Sequence, residues 1–492
     1  MSIRRQFGSG VAWMAVGNWI EQGINFVVFV VLARILGAES YGLLAMAATL
    51  VLMSEALVRE SFSDFLIAAR APEPGHYNAA FWLLAGLGGL LALALFLGAR
   101  PIAAVYGEKQ VVHLLRVLSA TVAMISLSAI PVAILRRDLR FRVLGIRAVA
   151  GVASGGAVAI AMALTGHGVW SLVAQRLVQV FVNIAIAWAT VSWRPGLRLT
   201  RRQLRDVFAF GGTVLGLRGA EIAVVQLPMM IVGATQGAAA LGLFSVAWRV
   251  VEIGSFLIVT PLRLVAQPAF ASMRRKGGDV GKLLLRITSL SGLVAFAAFA
   301  GLSVLSHEVI FLMFRTRWEP AAPLLSILAL LGAYLCVEKI HQSFCLAAGR
   351  ATATALLSWA EVAVVSFAVW ALRDHDARGM ALGMVAGLGA MWWFRFRVLA
   401  AIAGIGVRVL IGQYVVPLIG AAIMAGVVRA VLAWLPFSNA SLRLLVGTLA
   451  GGAFYAAYGL LFMSERLALL MRFAARMAKR GEALERETGQ AK

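Results

Sequence analysis

Cysteine is almost missing from this 492-residue chain, with Cys336 and Cys345 as its two examples. Both lie in one apolar stretch, which excludes a disulfide framework or a zinc site. Acidic residues are also scarce, at 22 Asp+Glu against 45 Lys+Arg, for a formal net charge of +23. Charged residues make up 14% of the chain, well under the roughly one quarter of a soluble domain. There is no Walker loop, no G-x-G-x-x-G in a strand-to-helix context, no H-E-x-x-H and no nucleophile elbow. No polar connection is long enough to fold on its own. These absences point away from an enzyme: no catalytic residue, cofactor or metal is expected.

Apolar sequence is plentiful. Hydrophobic residues make up 61% of the chain and the mean hydropathy is +0.88. Apolar runs recur from end to end, many of them near the ~20 residues a helix needs to cross the hydrocarbon core. The length rule predicts about fourteen spans, approximately at 9–32, 43–66, 79–98, 112–134, 146–165, 168–191, 207–232, 242–266, 283–305, 321–347, 352–372, 379–399, 411–434 and 443–464. The basic start, MSIRRQFGSG, resembles a signal peptide, but the stretch after it carries Asn18, Glu21 and Asn25 and is read as the first span.

Basic residues test this partition. With the N-terminus cytoplasmic, the cytoplasmic loops and termini hold 28 Lys and Arg, among them Arg136, Arg137, Arg140, Arg142, Arg147, Arg274, Arg350, Arg395 and Arg397, against eight on the opposite side. That is the positive-inside asymmetry. It predicts a multi-pass protein of the bacterial cytoplasmic membrane with both termini inside. It also accounts for most of the positive charge without nucleic acid. The expected fold is all-α, a polytopic membrane helical bundle. Residues 1–206 would hold six spans, 207–408 six more, 409–465 two additional ones, and 466–492 a basic amphipathic tail on the anionic inner leaflet.

A short internal repeat fits two six-helix lobes. Phe7-Gly8-Ser9-Gly10 enters span one, as Phe210-Gly211-Gly212-Thr213 enters span seven. Tyr41-Gly42-Leu43-Leu44 opens span two, as Leu241-Gly242-Leu243-Phe244 opens span eight. Such duplications are common among transporters.

Ionisable residues within spans are costly and mark cavities or partner helices. Span one carries Asn18, Glu21, Gln22 and Asn25 on one helical face. That face either bonds a neighbouring helix or lines a cavity, with Glu21 taking up a coupling proton. Span two carries Glu55, Arg59, Glu60 and Asp64, and Glu55 and Arg59 have ion-pair spacing. Span six carries Gln175, Gln179 and Asn183 as helix glue, with Arg176 needing an anionic or aqueous neighbour. Arg218 and Glu221 fall near mid-depth in span seven, and Arg249 and Glu252 in span eight. Each Arg has an acid three residues on, yet a deep arginine is the costliest feature here. Arg263, beside Pro261, reads as an interfacial anchor. In span ten Glu338 and His341 share a face without forming a metal site. Glu361 is a lone acid in span eleven, either a proton site or a buried protonated carboxyl.

The turn Leu32-Ala33-Arg34-Ile35-Leu36-Gly37-Ala38-Glu39-Ser40-Tyr41-Gly42 has its own logic. Gly37 is expected to end one helix, Ser40 to cap the next and Tyr41 to sit in the interfacial belt. The turn resembles the first periplasmic turn of bacterial polysaccharide flippases, where L-A-R-x-L-G and then an aromatic-Gly pair recur. Gly10, Trp13 and Gln22 are similar to the same family's first helix. The likeness covers nearly the whole chain and is strongest over the first 70 residues. These flippases belong to the multidrug/oligosaccharidyl-lipid/polysaccharide exporter superfamily. The resemblance implies two pseudo-symmetric six-helix lobes in a V, alternating access, and no enzymatic activity. The implied substrate is a polyprenyl-diphosphate-linked oligosaccharide moved to the outer leaflet, among membrane lipids, with a polysaccharide polymerase and glycosyltransferases as further implied partners. It also implies cavity arginines for the diphosphate, here Arg218, Arg249, Arg59 and Arg176. Competing expectations are a drug/cation antiporter of the same superfamily, a lipid II flippase, and a membrane polysaccharide polymerase or ligase. The deep arginines weigh against the antiporter, and the missing large periplasmic loop against the polymerase.

Overall fold

The computed structural model describes residues 3–60, 73–197, 200–275, 277–435, 439–464, 466 and 468. Every long element among them is a helix, as it must be where lipid offers the backbone no hydrogen-bond partner. In chain order the helices are α1 (Ile3–Ile35), α2 (Ala38–Glu60), α3 (Pro74–Leu97), α4 (Ala99–Tyr106), α5 (Gln110–Arg137), α6 (Phe141–Leu164), α7 (Val169–Thr190), α8 (Arg201–Arg275), α9 (Val280–Val304), α10 (Ser306–Phe314), α11 (Ala322–Ala347), α12 (Ala351–Ala371), α13 (Ala377–Ala403), α14 (Val407–Trp434) and α15 (Ala440–Phe462). A 3-10 turn, Thr316–Ala321, precedes α11. Local chemistry sets several boundaries. Asp279 caps α9 by accepting the Lys282 N–H at 2.9 Å, and Asp376 caps α13 by accepting two backbone N–H groups.

Among the described residues, 13 helices are long and apolar enough to cross a membrane. The difference from fourteen lies in α8, whose apolar part, Arg218–Leu262, is 45 residues long. It carries expected spans seven and eight with a break at Gly237, where φ is +80°. A β-carbon on Gly233 would meet Leu241 Cδ2 at 2.9 Å, whereas eight residues of straight helix separate Cα atoms by ~12 Å. The chain therefore folds back at Gly237, a conformation open to glycine at little steric cost.

The chain forms two compact units, one through Gly242 and one from Leu243. In the first, α6 packs on α7 and α1, and α5 on α3 and α2. In the second, α9 packs on α11 and α14, α12 on α13, and α14 on α15. Both units contain the same succession of a spanning helix, a short helix and another spanning helix: α3–α4–α5 and α9–α10–α11. The elements stand six expected spans apart, as a duplication requires. The repeat glycines also meet. A β-carbon on Gly42 would collide with the Ala238 backbone, and one on Gly242 with the Ala38 backbone. This reciprocal small-residue contact gives the Tyr-Gly motif a physical cause.

Four expectations need correction. Helix α2 begins at Ala38, so Ser40 lies in its first turn instead of capping it. Tyr41 is buried and donates its hydroxyl to the Phe29 carbonyl at 3.2 Å, so its ring packs inside the protein instead of standing exposed in an aromatic belt. Arg147 and Arg395, assigned to cytoplasmic loops, lie inside α6 and α13. Each lies among apolar residues of its helix and has charged neighbours there, described below. Asp64, Arg70, Arg198, Lys276 and, apart from two residues, the expected tail lie outside the described residues, as do the side chains of residues 7–10 and 210–213 and of Arg263.

An aromatic group closes one end of the first unit. Trp188 stacks on Trp193 and Phe81 meets both rings. Trp82 Nε1 donates to the Gly196 carbonyl at 3.0 Å, and Arg194 lies over the Trp188 ring. This grouping of aromatics and a basic residue suits the membrane–water interface.

Candidate functional site

The first unit gathers charge around Glu55. This residue lies on α2, only 2% exposed. Thr121 of α5, fully buried, donates its hydroxyl to Glu55 Oε1 at 2.7 Å. Arg176 of α7 donates to Glu55 Oε2. Arg59, one turn along α2, approaches the same oxygen at 3.7 Å. Three helices thus converge on one carboxylate. Arg59 is half exposed and the Arg176 side chain 28% exposed, so both guanidiniums reach an open face while their common partner does not.

Glycines position the second half of the cluster. A β-carbon on Gly17 of α1 would lie 3.1 Å from Gly145 Cα of α6, so these helices approach closely. The approach brings Glu21 of α1 into electrostatic reach of Arg147 of α6, and also of Arg59. Arg136, in the last turn of α5, is a further charged neighbour of Arg147. Asn18 is exposed, and Gln22 and Asn25 are half-buried on the α1 face beside Glu21. On α7, Gln179 and Asn183 lie against Gly155 and Gly151 of α6. The stripe packs closely on α6, but Asn183 Oδ1 is buried without a hydrogen-bond partner, so the contact is one of packing and not the hydrogen-bonded glue expected. Among the described residues the cluster holds four guanidiniums, Arg59, Arg136, Arg147 and Arg176, against two carboxylates, Glu21 and Glu55. An anion with several charges suits this excess, because arginine forks match phosphate oxygens in pairs.

Arg218 of the first unit is one-third exposed and pairs with Glu221 at 2.8 Å, the spacing expected from sequence. Arg249, in the second unit, pairs in the same way with Glu252 at 2.5 Å, with both side chains well exposed. Of the four arginines singled out from sequence, the structure brings Arg59 and Arg176 together. Arg147 was missed because span counting put it in a loop.

The second unit holds a different cluster. Arg395 of α13, 7% exposed, donates to Glu338 of α11 and to Glu361 of α12. It also approaches Ser358 Oγ at 3.2 Å. The Tyr334 hydroxyl donates to Glu361. Glu361 is therefore not a lone acid: it shares a guanidinium with a second carboxylate. His341 Nε2 lies 2.6 Å from the Tyr414 hydroxyl, packed among Phe396 and Trp392. A cavity of about 20 Å³, room for one water, touches Glu338, His341 and Arg395. Every ionic group here is buried. No group of three or more His, Cys, Asp or Glu with metal-binding geometry occurs among the described residues.

Known proteins resemble the chain in sequence and in fold. A family model described as "Polysaccharide biosynthesis protein" matches residues 31–323. The succinoglycan biosynthesis transport protein ExoT of Rhizobium meliloti is 26% identical over 477 residues, covering 93% of this chain and 92% of its own. The teichuronic acid biosynthesis protein TuaB of Bacillus subtilis is 27% identical, over 71% of this chain and 73% of its own. The lipopolysaccharide biosynthesis protein WzxC of Escherichia coli is 23% identical, over 71% and 72%. Among solved structures, the lipid II flippase MurJ in an inward closed conformation superposes with a TM-score of 0.70 at 12% identity, covering 92% of this chain and 99% of its own. An inward-facing multidrug resistance MATE transporter of the MOP superfamily gives 0.56 at 17% identity, over 80% and 98%. These two likenesses concern the fold.

Proposed function

The chain belongs to the polysaccharide biosynthesis protein family, and from that premise we propose that it carries a polyprenyl-diphosphate-linked oligosaccharide repeat unit from the inner to the outer leaflet, for exopolysaccharide or lipopolysaccharide assembly. Family membership and the apolar helices make it a multi-pass membrane transporter of polysaccharide biosynthesis; membership of the superfamily that also holds the MATE exporters is part of the same proposal and is supported by the shared fold. The observation that supports the finer reading is the Glu55 cluster. Its half-exposed Arg59 and partly exposed Arg176, backed by Arg147, offer an anionic head group fixed cations whose orientation Glu55 and Thr121 maintain. A diphosphate loses its hydration on leaving water, and bidentate guanidiniums replace part of it. The prenyl chain stays in lipid throughout. The same reading enlists Arg218 and Arg249 as further cavity cations, by depth and charge, and Asn18, Gln22 and Asn25 as polar lining. Glu21 is the proposed proton-coupling carboxylate, since it belongs to the open cluster; Glu361, held between Arg395 and Tyr334, serves coupling in the second unit. By this reading the protein lies in the bacterial inner membrane with both termini cytoplasmic, and receives its substrate from glycosyltransferases.

Export in a strain lacking the native copy tests the assignment. Arg176→Ala and Arg218→Ala are expected to abolish polymer export and to trap lipid-linked units on the inner leaflet, with normal membrane insertion. Export at wild-type level by both variants would sink the cation assignment. Glu21→Gln is expected to remove the dependence of transport on the proton gradient, and a gradient-dependent Glu21→Gln protein would rule out its coupling role.

A further inference from the structure

We infer that the second unit carries, at one end of its bundle, a site for a phosphate-ester anion, separate from the residues assigned above. A cleft of about 410 Å³ opens where α8 and α11 end and α9 and α12 begin, lined among others by Arg274, Arg350, Asp279 and the ring of Phe344. Arg274 stands in the last turn of α8 and donates Nη1 to the Ala347 carbonyl at 2.7 Å. That carbonyl is one of the orphan acceptors at the end of α11, so the bond holds the guanidinium at the rim of the cleft. The chain then turns at Gly349, where φ is +72°, and Arg350 follows directly before α12. A β-carbon on Gly349 would lie 3.7 Å from Arg274 Nη1, so the two arginines flank the same turn.

The acid in the cleft does not cancel them. Asp279 accepts the Lys282 backbone N–H, which holds its carboxyl below the usual range, and it pairs with the Lys282 ammonium at 3.3 Å. Its charge is committed to α9, and the two arginines remain in excess. The N-termini of two long helices, α9 and α12, open here and add positive potential in the same sense. The floor is apolar: Phe270 and Phe344 are buried and meet edge to face at 5.5 Å. Cations at the rim and rings at the floor suit an ester with an anionic head and an apolar body.

Depth decides between sources. The cleft lies at the ends of spanning helices, α9 starting at Val280, α11 ending at Ala347, α12 starting at Ala351 and α13 ending at Ala403. Lipid phosphates occupy that level, and basic pockets between helices recognise anionic head groups there. The expected occupant is an anionic phospholipid head; a soluble phosphate offers the same chemistry.

The test uses the full chain, delipidated in detergent and titrated with phosphatidylglycerol, phosphatidylcholine or inorganic phosphate, with bound molecules counted by native mass spectrometry. The wild type is expected to retain phosphatidylglycerol over phosphatidylcholine. R274Q/R350Q loses that preference by roughly tenfold or more, as two interfacial cations imply. R317Q, altered in the exposed turn before α11, and R274K/R350K keep it. Displacement by millimolar inorganic phosphate would assign a soluble source, and persistence of the lipid adduct assigns the lipid. Unchanged phosphatidylglycerol retention by a monodisperse R274Q/R350Q protein overturns the site.

Discussion

The Glu55 and Arg395 clusters are made of the same groups and have opposite characters. Around Glu55, a buried carboxylate orients two guanidiniums that keep part of their surface exposed. Around Arg395, one buried guanidinium is closed in by a serine and two carboxylates, one of which also accepts from Tyr334. The first has, among the described residues, more cations than acids and keeps its guanidiniums partly exposed, so it suits exchange of partners with a ligand. The second has both Arg395 Nη groups engaged inside the protein, with Nε alone left without a hydrogen-bond partner, so exchanging either Nη partner exposes a charge to apolar surroundings. The lesson is that a deep arginine is not by itself a substrate residue. The carboxylates are buried in both clusters, so what separates ligand chemistry from architecture is whether the arginine itself keeps an exposed surface.

The largest expected effect tests the closed cluster. Arg395→Ala strands two buried carboxylates and should destabilise the second unit by about 3–5 kcal/mol, the cost of breaking a buried pair from one side. Thermal unfolding in detergent reads it. Combining Arg395→Met with Glu338→Gln and Glu361→Gln should recover most of the loss, because no net charge is then stranded. A wild-type melting point for Arg395→Ala would erase the contrast between the clusters. Next comes Thr121→Val, which removes one hydrogen bond to a buried carboxylate and should cost about 1–3 kcal/mol. Its export should fall further than its stability alone explains, since Glu55 would then hold Arg59 and Arg176 less firmly. Equal losses of export and folded protein would reduce the Glu55 cluster to architecture. The smallest effect belongs to Arg249→Ala. Its pair with Glu252 is exposed, so stability should shift by less than about 1 kcal/mol while export declines. Full export by that variant would remove Arg249 from the cation set.

Much of the fold was legible because the membrane imposes a length and a charge rule. Thirteen spanning helices follow the apolar runs, and expected spans seven and eight adjoin within α8 because the chain turns at the single non-helical residue Gly237 with no loop between them. Local pairs were legible as well: Arg218–Glu221 and Arg249–Glu252 follow from three-residue spacing. Arg395 was misread because a cation near a span end looks like a loop residue under a positive-inside count. The only sequence signal to the contrary was the presence of Glu338 and Glu361, two acids in neighbouring spans without a local cation of matching spacing. Arg147 had a similar signal in Glu21.

What the sequence determined by itself is the class of molecule: a polytopic helical membrane protein, its span order, and the resemblance carried by the turn at residues 32–42. The tertiary structure alone decided which charges meet. Arg176 and Glu55 are 121 residues apart, and Arg395 reaches its two acids across 57 and 34 residues. A charge in a span must find a partner, so composition announces that pairs exist. Which pairs form depends on how each helix is rotated about its axis. That rotation is set by packing between helices, such as the glycines of α6 against α1 and α7, and no single helix carries the information.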